Sequence, residues 1–129
     1  MTSTRPTNHP HVSLVIPIRN EAGNIGPLIN EVEKALDTAG FSWELIVVDD
    51  GSTDESVHEV SSISTNSSRI HLIHLSEGRG KSAALAKGFA SVHGEAVVML
   101  DGDGQDNPAE IPKMLTRLGI APDGSEALP

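Results

Sequence analysis

Cysteine and tyrosine are absent from this 129-residue chain, and Phe41, Trp43 and Phe89 are its whole aromatic set. Without cysteine there are neither disulfides nor thiolate metal ligands, and the redox compartment stays open, a reducing cytosol being merely compatible. So few aromatics cannot build the stacking platforms that single-stranded nucleic acids use. Positive charge is scarce too: 9 Lys and Arg stand against 18 Asp and Glu, for a formal charge of −9. A phosphate backbone would be repelled over most of such a surface, and no run of basic residues offers a local exception, so nucleic acid is set aside as a partner. No stretch approaches the roughly 18 apolar residues of a transmembrane segment, and the opening MTSTRPTNHPH lacks the apolar core of a signal peptide. With 37% hydrophobic residues in this length the chain buries one core.

Residues 1–11 are polar, carry Pro6 and Pro10, and read as a disordered leader. The domain is expected over 12–118. HVSLVIPI is a short β-branched run followed by polar RNEAGN, which predicts a buried strand. Asn24 is a candidate N-cap for the helix behind it, where Ile25, Leu28, Ile29, Val32 and Leu36 recur at helical spacing until Gly40. SWELIVVDD is the second strand, and Ser52 with Glu55 has the spacing of a capping box ahead of a helix marked by Val57, Val60 and Ile63. RIHLIHL, GKSAALAKGFASVHG, EAVVML and PAEIPKMLTRL follow as strand, helix, strand and helix, and 119–129 as an irregular tail.

This β-α alternation with apolar strands predicts a parallel sheet with helices on both faces and right-handed crossovers. Ligands of such sheets sit beyond the carboxyl ends of the strands. Those ends carry Asn20 and Glu21, then Asp49 and Asp50, then Ser76 and Glu77, then Asp101 and Asp103. In an extended segment, side chains at alternate positions share a side, so Asp101, Asp103 and Gln105 can converge. Their all-oxygen donor set suits a hard cation such as Mg2+ or Mn2+. From this stretch alone, a turn that caps the next helix is an equal reading.

Three other motifs are tested and set aside. A calcium loop would need Gly in place of Asp106 and Glu in place of Pro112. A Walker-type phosphate loop ending in GRGKS would need glycine at Leu75. GRGKSA satisfies G-x-G-x-x-A, yet it follows the third strand rather than the first, where a dinucleotide fingerprint belongs. Gly78, Arg79, Gly80 and Lys81 remain as either an anion holder or a tight turn with two solvated cations. His58, His71, His74 and His93 are scattered, show no triad arrangement and read as surface or strand-edge positions.

Taken together, VIPIRNEAGNI, ELIVVDDGSTD, EGRGKSAALAKGF and VVMLDGDGQDNPAEIPKML resemble the N-terminal half of a family 2 glycosyltransferase. The resemblance runs over residues 12 to about 118 and is strongest to the dolichyl-phosphate mannosyltransferase and polyprenyl-phosphate sugar transferase branch. It implies an α/β GT-A (Rossmann-like) fold, a nucleotide-diphosphate sugar donor (GDP- or UDP-sugar), Mg2+ or Mn2+, an inverting transfer, and a lipid-phosphate acceptor. By motif it implies that Pro17, Asn20, Glu21, Asp49 and Asp50 line the base and ribose pocket, with Arg79 and Lys81 near the diphosphate. It also implies that Asp101, Asp103 and Gln105 form the metal site, with Asp101 close to the ribose as well. The family's acceptor half has no counterpart after Leu118, so a fragment is expected, cytoplasmic or peripheral at the cytoplasmic membrane face. Self-association through unpaired sheet edges is a further expectation. Non-catalytic nucleotide or metal binding, or an inactive relict, is the alternative.

Overall fold

The computed structural model describes residues 9–103 and 106–122. Four strands, β1 (Val12–Ile18), β2 (Trp43–Asp50), β3 (Ile70–Leu75) and β4 (Ala96–Met99), form one sheet in the order β3-β2-β1-β4. Every pairing is parallel. The helices are α1 (Ile25–Ala39), α2 (Ser56–Ser64), α3 (Lys81–Phe89) and α4 (Ile111–Arg117), the last entered through a 3-10 turn at Pro108–Glu110.

The two central strands are buried along their whole length, as their unbroken apolar runs require. The edge strands differ. β3 is partly covered on both faces, with His71 and His74 exposed, and β4 leaves Val97 and Met99 43% and 49% exposed. Helices lie on both faces but unequally. Leu14, Ile16, Leu45 and Val47 face α1, α2 and α4 in the larger core, whereas Val15, Ile46 and Val48 meet α3 in the smaller one. α3 approaches its strands closely because position 88 is glycine: a Cβ there would stand 2.5 Å from Val15 Cγ1.

Helix α1 ends as its glycine predicts. Gly40 has φ 82°, and the amide of Phe41 reaches back to the carbonyl of Leu36 at 3.0 Å while the Phe41 ring is buried. Its start is built otherwise than expected. Asn24 makes no side-chain cap; its amide group donates to Glu21 Oε2 instead. The α1 entry is held by Glu59 of α2, whose carboxylate accepts the Gly23 and Gly26 amides, each at 2.8 Å. A negative charge at a helix N-terminus is favourable whichever element supplies it.

The Ser52–Glu55 capping box is likewise not formed. Asp54 accepts the Ser56 amide at 2.9 Å, and Ser52 Oγ is used by Asp49. The third helix stops at Phe89, short of the sequence expectation, and PAEIPKMLTRL splits into a 3-10 turn and α4 at the Pro-containing junction. At the amino end, Pro10 and His11 belong to the fold rather than to a leader. The His11 amide donates to Ser42 O at 3.1 Å, and the Ala96 amide to His11 O at 3.1 Å. Residues 1–8 and 123–129 lie outside the described residues.

Opposite the carboxyl edge, Glu44 ties β2 to β1 and to the turn before β4. It accepts from Ser13 Oγ at 2.5 Å and from the His93 amide at 2.6 Å. Burial pushes its carboxyl up, but these donors and the His93 ring outweigh that and hold it below the ordinary value of 4.5. A lowered folded pKa stabilises above the unfolded value and is lost as pH falls through the folded one. Urea unfolding followed from pH 6 downward is therefore expected to show a shallower acid decline in Glu44→Gln than in the parent chain. Glu59→Ala, which removes the acceptor of two amides at the start of α1, is expected to cost about 0.5–2 kcal/mol in the same measurement, the range of a lost N-terminal cap.

Candidate nucleotide and metal site

The carboxyl ends of β2, β1 and β4 surround a cavity of about 280 Å3 lined by Pro17, Ile18, Arg19, Glu21, Asp50, Lys81, Asp101, Gly102 and Asp103. Six of the residues singled out from the sequence therefore meet in one place: Pro17, Glu21, Asp50, Lys81, Asp101 and Asp103. Close packing of the acidic loop on β1 depends on Gly102, where a Cβ would stand 2.7 Å from Ile18 Cγ2.

The crowded acids after β4 separate into roles. Asp101 and Asp103 line the cavity. Asp106 accepts the Asp101 amide at 2.8 Å and so closes the loop, while Glu110 pairs with Lys113 at 3.3 Å on the helix surface. Gln105 lies outside the described residues. Lys81 Nζ stands 2.5 Å from Asp101 Oδ1, and that hydrogen bond raises the lysine above its ordinary 10.5, so the ammonium stays charged across the neutral range.

Asp49, Asn20 and Arg79 are placed elsewhere. Asp49 is fully buried, accepting from Ser52 Oγ at 2.5 Å, from the Ser52 amide at 3.1 Å and from His74 Nδ1 at 3.1 Å. Asn20 adopts φ 56° and bridges two loops: its amide donates to Ser52 Oγ and its side-chain oxygen accepts the Thr53 amide at 2.8 Å. Both residues shape the loops behind the cavity. Arg79 lines a separate cavity between the end of β3 and α3.

The glycine-rich turn before α3 is a nest of amides already filled from within. Asp50 accepts the Arg79 amide at 2.8 Å and the Gly80 amide at 3.0 Å. The loop can sit there because Gly51 and Gly78 touch backbone to backbone, a Cβ on Gly51 falling 2.7 Å from the Gly78 nitrogen. Sequence reasoning passed over Arg19, which is exposed at the cavity, and Ser56, whose hydroxyl accepts the Glu21 amide at 2.8 Å. The available signal for Arg19 was its place as the first residue beyond a buried strand.

The donor set suits a divalent cation. Two carboxylates from one loop face the cavity, both oxygen donors, and one of them already holds a cationic ammonium. Among the described residues no group of three His, Cys, Asp or Glu is arranged to hold a metal unaided. Asp101 and Asp103 thus fit a site of the kind that Mg2+ shares with substrate phosphates.

Fold and site define a Rossmann-like α/β domain with an acid-lined pocket at the carboxyl edge of a parallel sheet. The family model for glycosyl transferase family 2 matches residues 13–124, and the chain belongs to that family. It is 36% identical over 119 residues to a dodecaprenyl-phosphate galacturonate synthase from Rhizobium johnstonii, covering 88% of this chain and 35% of that protein. A Salmonella paratyphi B undecaprenyl-phosphate 4-deoxy-4-formamido-L-arabinose transferase is 36% identical over 107 residues, covering 82% and 33%. The chain spans about a third of the length of these relatives.

Among solved structures, a Pyrobaculum calidifontis mannosyltransferase in complex with GDP-Man and Mn2+ superposes with a TM-score of 0.64 at 31% identity, covering 77% of this chain and 29% of that one. Glucosyl-3-phosphoglycerate synthase from Mycobacterium tuberculosis, in complex with Mn2+, UDP and phosphoglyceric acid, gives 0.67 at 27%, covering 89% and 40%. The fold is GT-A. Asp49→Asn places an amide donor among three donors, and is expected to cost about 1–3 kcal/mol in urea unfolding; a neutral outcome would contradict the role given to Asp49.

Proposed function

We propose that the chain carries the donor-binding part of an inverting glycosyltransferase, which moves a sugar from a nucleotide-diphosphate sugar to a polyprenyl phosphate. The observation that carries the reading is the convergence of Pro17, Glu21, Asp50, Lys81, Asp101 and Asp103 on one cavity at the carboxyl edge of the sheet. The printed acceptors of the two curated relatives, dodecaprenyl and undecaprenyl phosphate, support the acceptor class. The nucleotides and Mn2+ named for the two solved structures support the donor and cation.

In this reading Pro17, Glu21 and Asp50 face the base and ribose, with Asn20 and Asp49 holding the loops that carry them. Asp101 and Asp103, with Gln105 by its place in the motif, would hold Mg2+ or Mn2+. When bound, the cation would supply Lewis-acid stabilisation of the charge that grows on the departing diphosphate. The Lys81 ammonium, fixed by Asp101 beside the same oxygens, adds a second positive charge on that side. A lipid monophosphate is already anionic near neutral pH, having a second pKa of about 6, so the acceptor oxygen needs no general base. Arg79 stays a neighbour of the diphosphate only if its side chain swings inward from the β3 side.

No helix among the described residues is long and apolar enough to cross a membrane. A lipid-phosphate acceptor puts the transfer at a membrane surface, and contact with its cytoplasmic face is part of this reading. The open flank of β4, with Val97 and Met99, is where self-association of this chain would act.

Thermal unfolding with Mn2+ and UDP or GDP tests the reading. At a hundred times the dissociation constant, stabilisation of about 2.7 kcal/mol is expected. It should require the metal and disappear in Asp103→Asn. Absence of any shift with either nucleotide would sink the proposal, and the nucleotide that does shift the transition identifies the donor base.

A further inference from the structure

On the far side of the β2 carboxyl end from the nucleotide cavity lies a second one, of about 560 Å3, between the end of β3 and the face of α3. His74, Ser76, Glu77, Arg79 and Lys87 supply its polar lining. Its size falls within the range of small-molecule sites. Its chemistry is unusual for this chain. In a protein with twice as many acids as bases, two cations and an imidazole face one cavity against a single carboxylate. Neither the Arg79 nor the Lys87 side chain makes an ion pair or hydrogen bond among the described residues.

Two of these groups are anchored from behind by the adjacent acids of β2. His74 Nδ1 is committed to the fully buried Asp49 at 3.1 Å, which leaves Nε2 as the ring nitrogen available to the cavity. The Arg79 amide is committed to Asp50 at 2.8 Å, so the backbone is fixed while the guanidinium is free. Donors whose supporting atoms are already held lose less freedom when a ligand arrives. A planar guanidinium and a compact ammonium around a polar hollow form a donor set for a tetrahedral oxyanion, and His74 Nε2, with Nδ1 donating to Asp49, can accept from a protonated phosphate oxygen.

We infer that this cavity is a second anion site, separate from the nucleotide pocket, which takes a small phosphate-bearing ligand on Arg79, Lys87 and His74. Glu77 opposes the ligand's charge from the same lining and limits its affinity. The inference does not depend on the glycosyltransferase reading.

Inorganic phosphate is the probe. Isothermal titration and thermal unfolding of the full chain at pH 7, without divalent metal and with ionic strength matched by NaCl, should show saturable binding. The double variant Arg79→Gln, Lys87→Gln should weaken it at least tenfold, and Glu77→Gln should tighten it several-fold. All three positions are exposed, and unfolding in NaCl alone checks that each variant folds as the parent does. Lys81→Gln, which removes a cation from the nucleotide pocket, should bind phosphate as the parent chain does. Non-saturating behaviour in the parent chain, or equal binding by the double variant, would overturn the site. Loss of phosphate binding in Lys81→Gln would assign the anion to the nucleotide pocket instead and would overturn it equally.

Discussion

A carboxylate taken out of water is tolerated only where donors surround it, and that requirement organises the functional edge of this protein. Asp49, with no exposed surface, draws Ser52 and His74 onto the end of β2. Asp50, next along, draws in the amides of the turn before α3. Two loops and the end of β3 are thereby fastened to one strand end. Ser52 passes the connection on to Asn20, and Ser56 to Glu21, so the loop after β1 is held by the loop after β2. Glu59 completes the arrangement by holding the start of α1.

That stitching explains how a chain with so much negative charge builds a concave acidic site without dispersing it. Asp49, Asp54, Glu59 and Asp106 fasten loops, and Asp50 both fastens the turn before α3 and lines the cavity with Glu21, Asp101 and Asp103. The Lys81 ammonium already sits against Asp101. That ammonium and Arg19 stand against four carboxylates in the lining, so the pocket keeps a net negative charge that attracts a further cation. A divalent cation with a diphosphate fits because the metal stands between two sets of anionic oxygens.

The two faces of the sheet are unequal in a way that bears on the rest of the protein. One face carries three helices and most of the buried apolar side chains; the other carries α3, which covers β1, β2 and part of β3. Val97 and Met99 of β4 are exposed on that less covered side. Edge position and exposed apolar side chains together make β4 the part of the sheet most open to further packing.

Much of this could be read from residue order. The strands fall within a residue or so of the expected runs because an unbroken β-branched stretch bounded by polar turns has few other ways to be buried, and Gly40 ends α1 because a left-handed residue is needed there. The placement of Pro17, Glu21, Asp50, Lys81, Asp101 and Asp103 at one edge follows from parallel connectivity, which brings all the strand ends to the same side. The start of α1 was legible, since Asn24 stands at its N-cap position, but the capping bonds were not: Glu59 takes the Gly26 amide, and the Ser52 hydroxyl is engaged by Asp49 and the Asn20 amide. The separate fates of Asn20, Asp49 and Arg79, and the presence of Arg19 at the pocket, were decided by tertiary structure alone. Local sequence determines which side chains reach a strand end; which of them face the cavity depends on hydrogen bonds between loops more than thirty residues apart.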